Sequence, residues 1–118
     1  MAINVVAVSI DGADITRLAE FWADVLGRPV SPGTTDGFAA ITISDGLRLL
    51  FHQVPERKVV KNRVHLDLAT TDYETETDRL IKLGAVRLHD FDIEQTGGRW
   101  RTFADPEGNE FDLVASAA

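Results

Sequence analysis

The chain has 118 residues, 44% of them hydrophobic and 26% charged, which suits one globular domain able to bury a core without staples. It contains no cysteine, so disulfides, thiolate metal sites and cysteine nucleophiles are excluded. A formal net charge of −7, with no long run of Lys or Arg, argues against nucleic acid as a partner.

Residues 3–10 are rich in Val and Ile and read as a strand, followed by a turn over Asp11-Gly12-Ala13-Asp14. Asp14 is placed to cap a helix in which Leu18, Phe21, Trp22, Val25 and Leu26 recur at spacings of three and four. Gly27 ends that helix and Pro29 prevents its resumption. A short strand near Val30, a loop to Gly37 and a strand from Phe38 to Ile43 follow. Asp45-Gly46 then signals a hairpin into a strand over 47–54.

Residues 55–62 are polar and read as a connection. The second half begins with a strand over 63–69, and Thr71-Asp72 is expected to cap a helix ending at Gly84. A strand over 86–89, a loop over 91–98 and a strand over 99–103 come next. Asp105-Pro106-Glu107-Gly108 is a tight turn leading to a last strand over 111–115. The short tail after Ala115 is expected to fray. No segment approaches the length of a membrane span, and the N-terminus lacks a secretory signal pattern, so a cytoplasmic protein that does not bind membranes is expected.

The two halves repeat one layout. Asp14 and Gly27 in the first half correspond to Asp72 and Gly84 in the second, at nearly the same offset. We therefore expect an α+β fold of two βαβββ modules with mostly antiparallel neighbours, one domain over 1–118. Module one covers 3–54, the connection 55–62 and module two 63–115. A small ligand is expected in a groove between the modules.

Several polar residues interrupt apolar strands. His65 sits in Val64-His65-Leu66-Asp67-Leu68, where alternation puts His65 and Asp67 on one face and the leucines on the other. His65 is either hydrogen-bonded to Asp67 or a group that binds metal or moves protons near neutrality. Asp112 lies among Phe111, Leu113 and Val114, and burying such a carboxylate requires a partner. Trp100, after Gly97-Gly98, offers an aromatic face to a pocket mouth, and Phe38 and Phe51 are further candidates to line a cavity. His89, beside Asp90, reads as a surface residue. No phosphate loop or nucleophile elbow is present.

Phe21-Trp22 before Leu26-Gly27, Val54-Pro55-Glu56, the run from Lys61 to Leu68 and Ala104-Asp105-Pro106-Glu107-Gly108-Asn109-Glu110-Phe111 together resemble a glyoxalase-like domain. That family belongs to the vicinal oxygen chelate superfamily, with the glyoxalase, bleomycin-resistance and extradiol dioxygenase proteins. The resemblance implies that each module curls into half a barrel around a pocket and that the chain forms a homodimer. In metal-using relatives the ligands come from the first and last strands of each module. Those positions match Ala7 and Leu50 in the first module and His65 and Asp112 in the second. His52 lies two residues beyond Leu50 on the same strand face and is expected to line the pocket as a hydrogen-bonding group.

Half the ligand set is hydrocarbon, and two protein ligands make a poor basis for a catalytic metal. The expectation is therefore a small-molecule-binding protein without the full metal site and with no resident cofactor. Its ligand would be a small organic molecule held by His65, Asp112, His52, Leu50, Ala7, Asp67 and Trp100. The alternative is a metal-dependent lyase, isomerase or dioxygenase-type enzyme holding Zn, Ni, Mn or Fe through His65 and Asp112.

Overall fold

A computed structural model describes residues 3–93 and 97–116. The elements run β1 (Ala7–Gly12), α1 (Ile15–Leu26), β2 (Phe38–Ser44), β3 (Leu47–Gln53), β4 (Asp67–Thr70), α2 (Tyr73–Leu83), β5 (Val86–Ile93), β6 (Gly98–Ala104) and β7 (Glu110–Ala115). Among the described residues the fold is α+β, with two helices and two sheets that do not close. The chain divides into two compact units, Met1–Lys58 and Val59–Ala118. Among the described residues no helix is long and apolar enough to cross a membrane.

In the first unit the sheet order is β1-β3-β2. β1 runs parallel to β3, and β2 runs antiparallel to it. A parallel pair needs a crossover, and α1 supplies it. The Asp14 side chain accepts from the Arg17 amide at 3.1 Å, so the expected N-cap forms. Ile15, Leu18, Ala19, Phe21, Trp22 and Val25 make the buried stripe of α1. They lie against the sheet face that carries Ile41, Leu49 and Phe51, all fully buried. Phe51 is therefore core and not a cavity wall, because β3 alternates Leu49 and Phe51 toward the helix and Leu50 and His52 away from it. Gly46, at φ 79°, makes the Asp45-Gly46 turn. Two boundaries differ from expectation. β1 starts at Ala7 and includes Asp11 and Gly12, since Gly12 still pairs with Gln53. Val30 makes only an isolated bridge to Ile41.

In the second unit the order is β4-β7-β6-β5, with β4 parallel to β7 and the other pairs antiparallel. The expected strand over 63–69 begins only at Asp67. Before it, the Asn62 side chain replaces a ladder rung. Its Nδ2 donates to the Glu110 carbonyl at 2.7 Å and its Oδ1 accepts from the Glu110 amide at 3.2 Å. Asp72 occupies the N-cap of α2, but its side chain makes no cap bond. The Asp72 amide instead donates to Thr70 Oγ1 at 3.0 Å. β5 continues through Phe91 to Ile93, where a loop was expected, because it pairs residue by residue with β6. The rest of that expected loop includes residues 94–96, which lie outside the described residues, as do 117 and 118 of the tail.

One face of this second sheet packs its apolar residues with a buried charge. Phe103, Phe111 and Leu113 are buried there, and Arg101, with a side chain only 9% exposed, donates to Glu74 Oε1 at 2.7 Å and to Thr77 Oγ1 at 2.8 Å on α2. Its guanidinium also lies 4.4 Å from the Tyr73 ring centroid, and that of Arg99 lies 4.7 Å from it. The Arg101 hydrogen bond holds the Glu74 carboxyl below the usual carboxylate range, and the Arg87 hydrogen bond does the same for Asp90. A carboxyl whose folded pKa is depressed contributes stability above its unfolded value of about 4, and that contribution is lost as pH falls through the folded value. The urea midpoint should therefore drop as pH is lowered from about 5 to about 2, and Glu74→Gln should drop less steeply. Identical slopes for the two proteins would remove Glu74 from the account.

Candidate functional site in the second unit

The site begins at the turn before β7. Asp105, 2% exposed, accepts through Oδ1 from the amides of Glu107 and Asn109, each at 2.9 Å, and through Oδ2 from Asn109 Nδ2 at 3.1 Å. With Pro106 inside it and Gly108 at φ 87°, this turn has one geometry, which sets where β7 starts and which face Asp112 takes. Sequence reasoning found the turn but not the carboxylate that organises it. Asp at the head of a Pro-Glu-Gly-Asn turn, where its carboxylate can accept from amides two and four residues on, is the signal that was available.

From β7, Asp112 faces the side of the sheet opposite Arg101. Its amide donates to the Leu66 carbonyl at 2.9 Å, which draws the 65–67 segment alongside. Its Oδ1 accepts from Thr102 Oγ1 at 2.6 Å. Its Oδ2 lies 3.2 Å from His65 Nε2, and the same nitrogen lies 3.2 Å from Asp67 Oδ1. Side-chain exposure is 13% for Asp112, 43% for His65 and 62% for Asp67, so the cluster runs from a nearly buried anchor to open solvent. One N–H cannot be directed fully at two acceptors. One imidazole nitrogen and two carboxylate oxygens instead converge on a common space, all within 4.8 Å of one another.

His65, Asp67, Asp112, Trp100 and Val114 line a cleft of about 370 Å³. The Trp100 indole is stacked on Phe91, with centroids 5.1 Å apart and planes 18° apart. His89 meets the edge of Phe91 at 6.1 Å and is exposed. Asp67 thus joins the pair that sequence reasoning took as metal ligands. Sequence reasoning counted it as a ligand-binding residue and a partner of His65 but not as a metal ligand, because the distance from Asp67 to Asp112 depends on the β4–β7 pairing.

Ala7, Leu50 and His52 belong to the first unit. The parallel register sets Ser9 beside Leu50 and Asp11 beside His52, with Ala7 beside Arg48. His52 lies against the Phe38 ring at 5.3 Å. Asp11, read in sequence as a turn residue, is therefore a strand neighbour of His52.

The three groups could hold a divalent cation. Ligand atoms about 2.1 Å from a metal stand about 3.0 Å apart at octahedral cis positions and about 3.4 Å apart at tetrahedral ones. The two 3.2 Å separations fall between these. Without a metal, the same set offers hydrogen-bond acceptors and net negative charge.

Known proteins with this architecture are numerous. A mutant of the fosfomycin resistance protein FosX from Listeria monocytogenes, complexed with Mn(II) and 1S,2S-dihydroxypropylphosphonic acid, superposes with a TM-score of 0.82 at 16% identity, over 99% of this chain and 93% of that one. A glyoxalase/bleomycin resistance protein/dioxygenase family enzyme from Burkholderia phytofirmans PsJN gives 0.79 at 16% identity, over 98% and 100%. The oxidase ChaP-H2 gives 0.68 at 20% identity, over 99% and 96%. At such identities the likeness is one of fold alone. No curated protein sequence matches the chain. A family model of the glyoxalase-like domain matches residues 7–114, nearly the whole length. With its repeated strand–helix–strand layout, the chain belongs to the glyoxalase-like domain family of the vicinal oxygen chelate superfamily.

Proposed function

We propose that this protein binds a small organic molecule in the cleft lined by His65, Asp67, Asp112, Trp100 and Val114. The observation that carries this is the convergence of His65 Nε2 with both carboxylates beside an indole face. Binding sites of this kind combine an apolar wall with a few polar groups that fix orientation. Here Trp100 and Val114 are the wall, and the cluster is the anchor. Asp112, held by Thr102 and nearly buried, is the preorganised acceptor, whereas His65 and Asp67 can adjust to the ligand. Fold membership does not select a reaction, so binding is the activity assigned.

A fragment screen by thermal shift tests the proposal. Compounds that raise the melting temperature should lose most of that shift in His65→Ala and in Asp112→Asn. Hits that shift both variants as they shift the parent protein would end it.

A second reading, metal-assisted catalysis, is favoured by the third ligand that Asp67 adds. A divalent ion there would be held by His65, Asp67 and Asp112. It would supply Lewis acidity to a ligand oxygen. The chain's own contribution would be to orient the ligand against Trp100, with His65 acting as a ligand to the ion and not as the base. Incubation with Mn, Ni, Zn or Fe(II), then desalting and elemental analysis, separates the readings. About one ion per chain, lost in His65→Ala, would favour the catalytic reading. A metal content indistinguishable from that of His65→Ala would favour the organic ligand alone.

A further inference from the structure

The register of the second sheet sorts its cleft-side face into two rows. Asp67 pairs with Asp112, Asp112 with Thr102 and Thr102 with His89, which makes one polar row across all four strands. Two residues further along β7, Val114 pairs with Trp100 and Trp100 with Phe91, which makes an apolar row beside it. Side-chain contacts confirm that both rows lie on one face: Thr102 to Asp112, His89 to Phe91 and Phe91 to Trp100. The rows are chemically distinct. The apolar one centres on two rings stacked on each other, so that Phe91, 40% exposed, covers one face of Trp100 and the other face of the indole is left to the cleft beside Val114.

The polar row is rich in acceptors and negatively charged. Thr102 spends its hydroxyl hydrogen on Asp112. His65, which stands beside the row, can neutralise at most one of the two carboxylates it faces. The guanidiniums of β6 do not help, because Arg99 and Arg101 point to the opposite face, toward Tyr73 and Glu74. Lys61 is paired with Glu110. Resting on the small-molecule reading above, we propose that the two rows select a flat aromatic cation, its ring stacked on the cleft-side face of Trp100 and its N–H groups on Asp67 and Asp112. A carboxylate pair beside an indole face attracts a cation through charge and ring quadrupole together, and a planar ring adds stacking. Neither row alone would distinguish this ligand. A neutral ring would stack but leave the carboxylates unsatisfied, and a non-planar cation would satisfy them but leave the indole face exposed.

Three probes separate these contributions: 9-aminoacridine, a flat cation at neutral pH; acridine, its neutral parent; and cyclohexylammonium, a cation without a flat ring. Calorimetric titration of the full chain should show 9-aminoacridine binding about tenfold or more tighter than either of the others. Trp100→Ala should weaken it about tenfold, whereas Trp100→Phe, which keeps a ring, should stay within about threefold. Asp67→Asn and Asp112→Asn should each bring 9-aminoacridine toward acridine. Circular dichroism would verify that the variants remain folded, and Trp100→Leu, which keeps apolar bulk but no ring and should also weaken binding about tenfold, carries the test should Trp100→Ala not fold. Equal binding of acridine and 9-aminoacridine, or unchanged affinity in a folded Trp100→Ala, overturns the inference. If 9-aminoacridine fails to bind while screened fragments still depend on His65 and Asp112, the inference falls and the small-molecule reading stands. If no compound depends on those residues, both fall.

Discussion

Thr102→Val is expected to lower folding stability by about 1.5–3 kcal/mol and to weaken ligand binding in the cleft of the second unit at the same time. The substitution keeps shape and removes only the hydroxyl. That hydroxyl donates to Asp112 Oδ1 at 2.6 Å, and both residues are buried. A hydrogen bond to a charged acceptor is stronger than one between neutral groups, and an acceptor left unsatisfied in a buried position costs its own desolvation. Asp112 would keep its polar contact with His65 but lose the bond that fixes its side-chain torsions. The carboxylate would then no longer be preorganised where His65 and Asp67 converge. Urea unfolding measures the first effect, and the thermal-shift response to fragments measures the second. Thr102→Ser keeps the donor and should retain most of both. Unchanged stability and an unchanged fragment response in Thr102→Val would show that Asp112 does not depend on this hydroxyl.

Trp22→Ala should cost more, about 3–5 kcal/mol. Trp22 is 1% exposed, stands on the buried stripe of α1 and meets Phe21 edge to face at 5.5 Å. Removing an indole from such a position loses its transfer free energy and leaves a cavity that the sheet beneath cannot collapse into. A domain of this size holds only about 5–15 kcal/mol in total, so the loss would be a large share of it. The urea midpoint should fall with little change in slope. Ile81→Ala, at a position that is 45% exposed on α2, serves as the control and should stay within about 1 kcal/mol. Comparable losses from the two substitutions would show that burial does not govern these helices as described.

Much of the fold was legible because its signals are local. The stripe from Leu18 to Leu26 needs only helical periodicity, and Gly27 and Gly84 end helices because φ values of 63° and 113° suit glycine. Asp45-Gly46 and Asp105-Pro106-Glu107-Gly108 declare their turns through backbone preferences of single residues. Strand ends were less legible. That β4 starts at Asp67 and β1 ends at Gly12 depends on which backbone groups find partners across the sheet, and a partner such as Asn62 on Glu110 leaves no pattern in its own neighbourhood.

The sequence by itself determined which chemical groups this protein has to work with. It offers no thiol, three histidines, a carboxylate in each of two apolar strands and a tryptophan beside a glycine pair. Alternation along a strand also placed His65 and Asp67 on a common face. Which groups meet was decided only by tertiary structure, through register. The β4–β7 pairing sets Asp67 beside Asp112, and the β6–β7 and β5–β6 pairings set Thr102 under Asp112 and Phe91 against Trp100. Each of these pairs joins separate strands, and a slip of one residue would turn every one of them to the other face. The candidate site is the sum of those registers, which no single strand encodes.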